Sequence, residues 1–243
     1  MAEKKKIAKT LREFEGYGAD PVPEEGQPLD WSDRLVLELY PQEKRNYNLW
    51  PEKPKPFRDI LEEYSKKIKK LTEVTSEVLA KALNFDQNCF LEELGDQATL
   101  TARFNYYSCC QRPDLVLGLK PHTDVTAFSM ILQDESGLQV RKDDKWFTVP
   151  KHPDALIFLL GDHMEIMTNG IFKSVMHRVL SNLQKERISI AMFYDPPADI
   201  ERGPKDDLVN EENPRLFKNV KDYVTTYWQY YERGQRAIHT ALV

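Results

Sequence analysis

Three side chains have the types and spacing to hold a metal ion: His122 and Asp124, separated by Thr123, and the distant His177. Two imidazoles and one carboxylate form a donor set for non-haem iron(II), leaving about three positions of an octahedron open. In an extended chain residues two apart point to one face, so a single strand end can offer His122 and Asp124 together. His177 must be delivered by the fold, from a strand expected to face the first across the mouth of a barrel. Two other readings stay open on these residues alone. One is a histidine hydrogen-bonded to a nearby carboxylate; the other is zinc, held by the same ligands and a water. Arg187 follows His177 by ten residues, and Ser189 shares its strand face. A guanidinium and a hydroxyl so placed would grip a carboxylate by a forked, charge-assisted contact. A surface ion pair of Arg187 with Glu186 or Asp195 competes with this reading. It is weakened because Arg187 opens the apolar run 188–193, which belongs in a core.

The elements that must position these groups follow from hydrophobic periodicity. Residues 1–56 read as irregular and polar, with a short amphipathic helix over 4–14, glycine and proline breaks over 16–28, and Asp30 capping a turn of helix from Trp31. Helical spacing of Phe57, Ile60, Leu61, Tyr64, Ile68, Leu71, Val74 and Val78 predicts a long helix over 57–83, its lysine-rich side facing solvent. A second short helix is expected over 89–94. From Leu100 the period becomes two, predicting strands over 100–107, 127–133, 138–140, 146–149, 155–160, 174–179 and 187–194, with turns between, including one at Gly161-Asp162. A last aromatic-rich helix is expected over 220–236. The expectation is a mainly β protein with helices (α+β). A jelly-roll core over 100–197 follows a helical region over 1–99 and precedes a loop and helix over 198–243.

Composition excludes several classes. A net charge of −5 disfavours nucleic acid and anionic membrane as partners. No apolar run is long enough to span a bilayer, and Met1 to Lys6 lacks the apolar stretch of a signal peptide. Cys89, Cys109 and Cys110 make no disulfide framework, which points to a reducing, cytoplasmic setting. Nothing in the sequence supplies a general base for the zinc hydrolase reading.

The pattern His122-Thr123-Asp124, His177 and Arg187-x-Ser189 resembles the plant 2-oxoglutarate- and iron(II)-dependent dioxygenases. Asn105-Tyr106-Tyr107, Gly137-Leu138-Gln139, Trp146 with Val149-Pro150, Gly161-Asp162, and Thr168-Asn169-Gly170 with Lys173-Ser174 extend the resemblance over about 57–237. It is nearest the specialised-metabolism branch of anthocyanidin synthase-like, alkaloid O-demethylase-like and melatonin 2-hydroxylase-like enzymes. The resemblance implies a double-stranded β-helix with His122, Asp124 and His177 as iron ligands. Arg187 and Ser189 would hold the distal carboxylate of 2-oxoglutarate, helped by Tyr107 and Asn105. Arg103, Phe193 and Asp195 fall where some members border the organic substrate. Implied with them are dioxygen, ascorbate as reductant, and a monomer that hydroxylates or O-demethylates a small metabolite while 2-oxoglutarate becomes succinate.

Departures from the family pattern carry their own expectations. Ser108-Cys109-Cys110 replaces a proline-rich turn, which should loosen it. Lys120, before Pro121 and His122, is expected to touch solvent or an acidic substrate. Relatives carry an amino-terminal region ahead of the part matching Gly16. On that reading the alternative is a shortened homologue with weak or no catalysis that binds a ligand or partner, and an open sheet edge could pair with another chain.

Overall fold

The computed structural model describes residues 2–10, 14–18 and 30–243. In chain order the elements are α1 (Ala2–Lys6), β1 (Gly16–Tyr17), β2 (Asp33–Tyr40), α2 (Phe57–Ala82), α3 (Cys89–Leu94), β3 (Thr99–Tyr107), β4 (Leu117–His122), β5 (Phe128–Gln133), β6 (Leu138–Lys142), β7 (Lys145–Thr148), β8 (Ile157–Leu160), α4 (Asp162–Met167), β9 (His177–Leu180), β10 (Arg187–Asp195) and α5 (Tyr223–Glu232). Among the described residues the strands form two antiparallel sheets. One has six strands in the order β1-β2-β3-β10-β5-β8, the other four in the order β4-β9-β6-β7. This is the expected jelly-roll layering, with side chains of both sheets (Tyr107, Ile131 and Ala191; Leu119, Leu138 and Val179) meeting in one apolar cluster. No helix among the described residues is long and apolar enough to cross a membrane.

Period-two alternation decides which side chains reach the interior. On β3, Leu100, Ala102 and Phe104 face α2, while Thr101, Arg103, Asn105 and Tyr107 face inward. On β10, Ile190, Met192 and Tyr194 face α2, while Arg187, Ser189, Ala191 and Phe193 face inward. Register then sets neighbours: Arg187 pairs with Tyr107, Ser189 with Asn105, and Ala191 with Arg103. Helix α2 buries Leu61, Ser65, Ile68, Thr72, Ser76 and Ala80, a stripe of mostly small residues that lets it lie close on the sheet. The hydroxyls of Ser65, Thr72 and Ser76 donate to carbonyls one turn back, so none is buried without a partner. The helix ends where Asn84 adopts a φ of 59°, and the Phe85 N–H closes on Ala80 O at 3.0 Å.

Several expectations need correction. Residues 33–40 are not irregular: β2 pairs with β3 along its length and buries Leu37 and Leu39 in the main core. Asp30 caps no helix; its Oδ1 accepts the Lys120 N–H at 2.8 Å. The first helix covers only Ala2–Lys6. Residues 11–13 of the helix expected over 4–14, and residues 19–28 of the expected glycine–proline stretch, lie outside the described residues. Only the His122 end of β4 was foreseen, the strand stops before Asp124, and Gly161-Asp162 is no simple turn but the start of α4, whose six residues are all buried.

Gly161 is where α4 meets the loop after β4. Its N–H donates to Ala127 O, and a Cβ there would collide with Thr126 O and lie 2.8 Å from Asp124 O. Gly161→Ala is therefore expected to lower stability by about 1–3 kcal/mol, the usual range for overpacking. Because Asp124 would be displaced with its backbone, iron affinity should fall as well. Thermal unfolding and an anaerobic iron titration check both effects.

Candidate metal centre and co-substrate site

His122 is the last residue of β4 and His177 the first of β9, and the two are directly paired in register. The fold does not set them across a mouth, as expected, but side by side on neighbouring strands, with ring centroids 4.2 Å apart. The chain leaves the strand after His122, and Asp124 is held in the following loop. Its carbonyl accepts the Asp162 N–H at 2.8 Å, and its Oδ2 accepts the Ser129 hydroxyl at 2.5 Å. Oδ1 is left facing both histidines, 3.6 Å from each Nε2. The three ligand atoms lie within 4.8 Å of one another, and all three residues are buried.

The protonation pattern suits a cation. Each Nδ1 faces a main-chain carbonyl, His122 that of Lys120 at 2.8 Å and His177 that of Val175 at 2.9 Å. A carbonyl can only accept, so each Nδ1 carries a proton and Nε2 is the nitrogen left to face the other ligand atoms. Burial lowers the His177 pKa to about 4, which keeps the ring neutral at pH 7. Burial alone would raise Asp124, but the hydrogen bond it accepts from the Ser129 hydroxyl favours its anion. Two neutral nitrogens and one anionic oxygen in a buried cluster fit iron(II).

Deeper in the barrel Arg187 is 4% exposed. It donates to Gln133 Oε1 at 2.8 Å, Glu135 O at 3.0 Å and Ser189 Oγ at 3.1 Å, and its guanidinium stands 5.0 Å from the Tyr107 ring centre. Those oxygens are neutral, so the buried cation retains its charge for an anionic ligand. The surface pairings weighed for Arg187 are taken up elsewhere: Glu186 accepts from Tyr106, and Asp195 bonds His163 Nδ1 at 2.7 Å. Gly137 makes room, since a Cβ there would lie 3.0 Å from Arg187 Cδ. Asn105 Nδ2 points at Ser189 Oγ from 3.5 Å, and its Oδ1 accepts Arg103 Nε at 2.8 Å.

A narrow cavity joins the two ends. Its lining includes His122, Asp124 and His177 as well as Arg187, Ser189, Tyr107 and Asn105. Beyond the triad opens a second cavity of about 220 Å³, walled by Arg103, Phe193, Asp195, Tyr227, Trp228 and Tyr231 and reaching His122 and Asp124. A larger cleft of about 660 Å³, near Tyr17, Trp50 and Arg58, does not touch the triad. Lys120 is not at the surface: it is 7% exposed, with Nζ 4.2 Å from the Tyr231 ring centre. The turn at Ser108-Cys109-Cys110 is tied down by the Cys110 N–H on Asn182 O at 2.8 Å.

Sequence reasoning missed Ser129 and Gln133. The signal was there: both are polar residues on the inward face of a strand that otherwise reads as apolar. It also missed Tyr227, whose hydroxyl donates to Thr123 O at 2.6 Å. A bond to a main-chain oxygen leaves no trace in residue types.

The chain is similar to known proteins over most of its length. The 2OG-Fe(II) oxygenase superfamily matches residues 86–196. Codeine O-demethylase of Papaver somniferum is 43% identical over 220 residues, covering 90% of this chain and 61% of that protein. A flavonol synthase/flavanone 3-hydroxylase of Eustoma exaltatum subsp. russellianum is 40% identical over 227 residues, covering 91% of this chain and 68% of that protein. A crystal structure of JOX2 in complex with 2OG, Fe, and JA superposes with a TM-score of 0.90 at 36% identity, over 100% of this chain and 73% of that one. The chain spans 58–64% of the length of three curated relatives. With a jelly roll, a buried His-Asp-His cluster and relatives of this identity, the chain belongs to the 2OG-Fe(II) oxygenase superfamily, whose members use iron(II), 2-oxoglutarate and dioxygen.

Proposed function

We propose that this protein is an iron(II)- and 2-oxoglutarate-dependent oxygenase that hydroxylates or O-demethylates a small plant specialised metabolite. The observation that carries the reading is a pair of cavities that share Arg103, His122, Asp124 and Phe193 in their linings. The narrow one also holds His177, Arg187 and Ser189, and the wider one Tyr227, Trp228 and Tyr231. When bound, iron(II) with 2-oxoglutarate and dioxygen would supply the oxidation of a substrate C–H bond, one oxygen atom going to succinate as carbon dioxide leaves and the other to the substrate.

The chain's own residues do the rest. His122, Asp124 and His177 hold the metal through two neutral nitrogens and one carboxylate, leaving it a net charge of about +1 and open positions for the co-substrate. Arg187 and Ser189 take the distal carboxylate of 2-oxoglutarate, with Tyr107 beside the guanidinium and Asn105 beside the Ser189 hydroxyl. Arg103, Phe193 and Asp195 border the organic substrate, and the rings of Tyr227, Trp228 and Tyr231 give its cavity an aromatic wall that excludes water. Ascorbate serves as reductant. The chain acts as a monomer, with its catalytic core over 100–197 between the regions 1–99 and 198–243. Free thiols at Cys89, Cys109 and Cys110 support a cytoplasmic setting.

Purified protein given iron(II), ascorbate and carboxyl-labelled 2-oxoglutarate is expected to release labelled carbon dioxide slowly without a prime substrate. Release should rise with a phenolic or alkaloid that fits the cavity. Absence of release under every such condition would overturn the reading in favour of a binding protein.

A further inference from the structure

Helix α5 carries tyrosines at a spacing of four, Tyr223, Tyr227 and Tyr231, and all three are buried. A tyrosine stripe at helical spacing ordinarily packs a core, and these rings do so. Core packing does not explain where the hydroxyls end. Tyr223 donates to Asp162 Oδ2 at 2.9 Å on α4. Tyr227 donates at 2.6 Å to Thr123 O, the carbonyl of the residue between the two ligands His122 and Asp124. Tyr231 donates at 3.3 Å to Asp30 Oδ2, whose Oδ1 accepts the Lys120 N–H at 2.8 Å. The Lys120 carbonyl in turn receives His122 Nδ1 at 2.8 Å, and the Tyr231 ring meets the His122 ring edge-on at 5.5 Å and 89°.

We propose that Tyr227 and Tyr231 are positioning residues of the metal centre. Tyr227 fixes the peptide that sets Asp124 relative to His122, and Tyr231 fixes the support of the His122 ring. The proposal rests on the metal assignment made above. It adds a linkage that the ligands alone do not provide, because both rings also wall the 220 Å³ cavity. A group that orients a ligand from behind commonly matters for metal affinity by about 10–100-fold. Here that duty falls to side chains that also face the organic substrate.

The test compares Tyr227→Phe, Tyr231→Phe and Tyr47→Phe, each of which removes one oxygen and keeps the ring. Three quantities are read: unfolding temperature of the metal-free protein, iron(II) affinity under anaerobic conditions, and the visible charge-transfer absorption of the iron(II)–2-oxoglutarate complex. Tyr227→Phe and Tyr231→Phe are each expected to weaken iron(II) binding about 10-fold and to move the absorption maximum. Tyr47→Phe, whose hydroxyl donates to Glu62 Oε1 at 3.1 Å beside the cleft that does not touch the triad, is expected to leave affinity and absorption as in the wild type. Should one of the first two variants not fold, the other still reads the effect. If both bind iron(II) like the wild type with an unmoved absorption maximum, the tyrosines are structural only and the proposal falls while the metal assignment stands. Failure of the wild-type protein to bind iron(II) would instead remove the metal assignment, and this proposal with it.

Discussion

Arg187→Ala is expected to weaken 2-oxoglutarate binding by on the order of 100-fold or more, about 3 kcal/mol, while iron(II) affinity measured without co-substrate stays within about twofold of wild type. The magnitude follows from the surroundings of the guanidinium. It is 4% exposed, its hydrogen bonds go to the neutral oxygens of Gln133, Glu135 and Ser189, and burial lowers its pKa. An anion arriving there meets a cation already stripped of water, so the interaction is far stronger than at a surface. Arg187→Lys should recover only part of the loss, because a point charge cannot reproduce the planar fork that also bonds Ser189. Equilibrium titration of 2-oxoglutarate against the iron-loaded variants gives the answer. An unchanged co-substrate affinity in Arg187→Ala would remove this arginine from the site.

The second large effect is expected from His177→Ala. Loss of a direct ligand should cost more iron(II) affinity than the roughly 10–100-fold that follows loss of an outer partner, and carbon dioxide release should disappear with it. A second buried histidine provides the control. His163 also contacts a carboxylate, Asp195, through Nδ1 at 2.7 Å, but it is not part of the buried ligand cluster. His163→Ala is expected to lose stability and keep its iron. If the two variants lost iron(II) alike, the metal would not sit where the His122, Asp124 and His177 ligand atoms converge.

What the sequence made legible was whatever has a period or a rare residue type. Alternation exposed β3, β5 and β10 and the shared face of Arg187 and Ser189, while Asn105 and Tyr107 came from the family resemblance. A 3.6-residue period exposed α2 within one residue of its observed end. Elements without such a signal were missed. Helix α4 has six residues, all buried, too short and too uniformly covered to show a polar face. Strand β4 carries Gly118 and Pro121, so only its end at His122 was legible. β2 was hidden by its setting, between the Asp-Trp-Ser-Asp run ending at Asp33 and Pro41, although Leu35 to Leu39 carries an evident apolar pattern. For the site, types and spacing named the ligands. They were silent on the Ser129 hydroxyl beneath Asp124 and on the main-chain oxygens that set both imidazole tautomers, because those roles depend on distance.

His122 and His177 are register partners on β4 and β9, and β4 is the edge strand of its sheet. An edge strand with a broken ladder is where local opening is cheapest. An ion held from both strands would act there as a clasp, since peeling β4 away would separate the donor atoms. Metal occupancy and the fraying of that edge would then be a single equilibrium, each shifting as the other does.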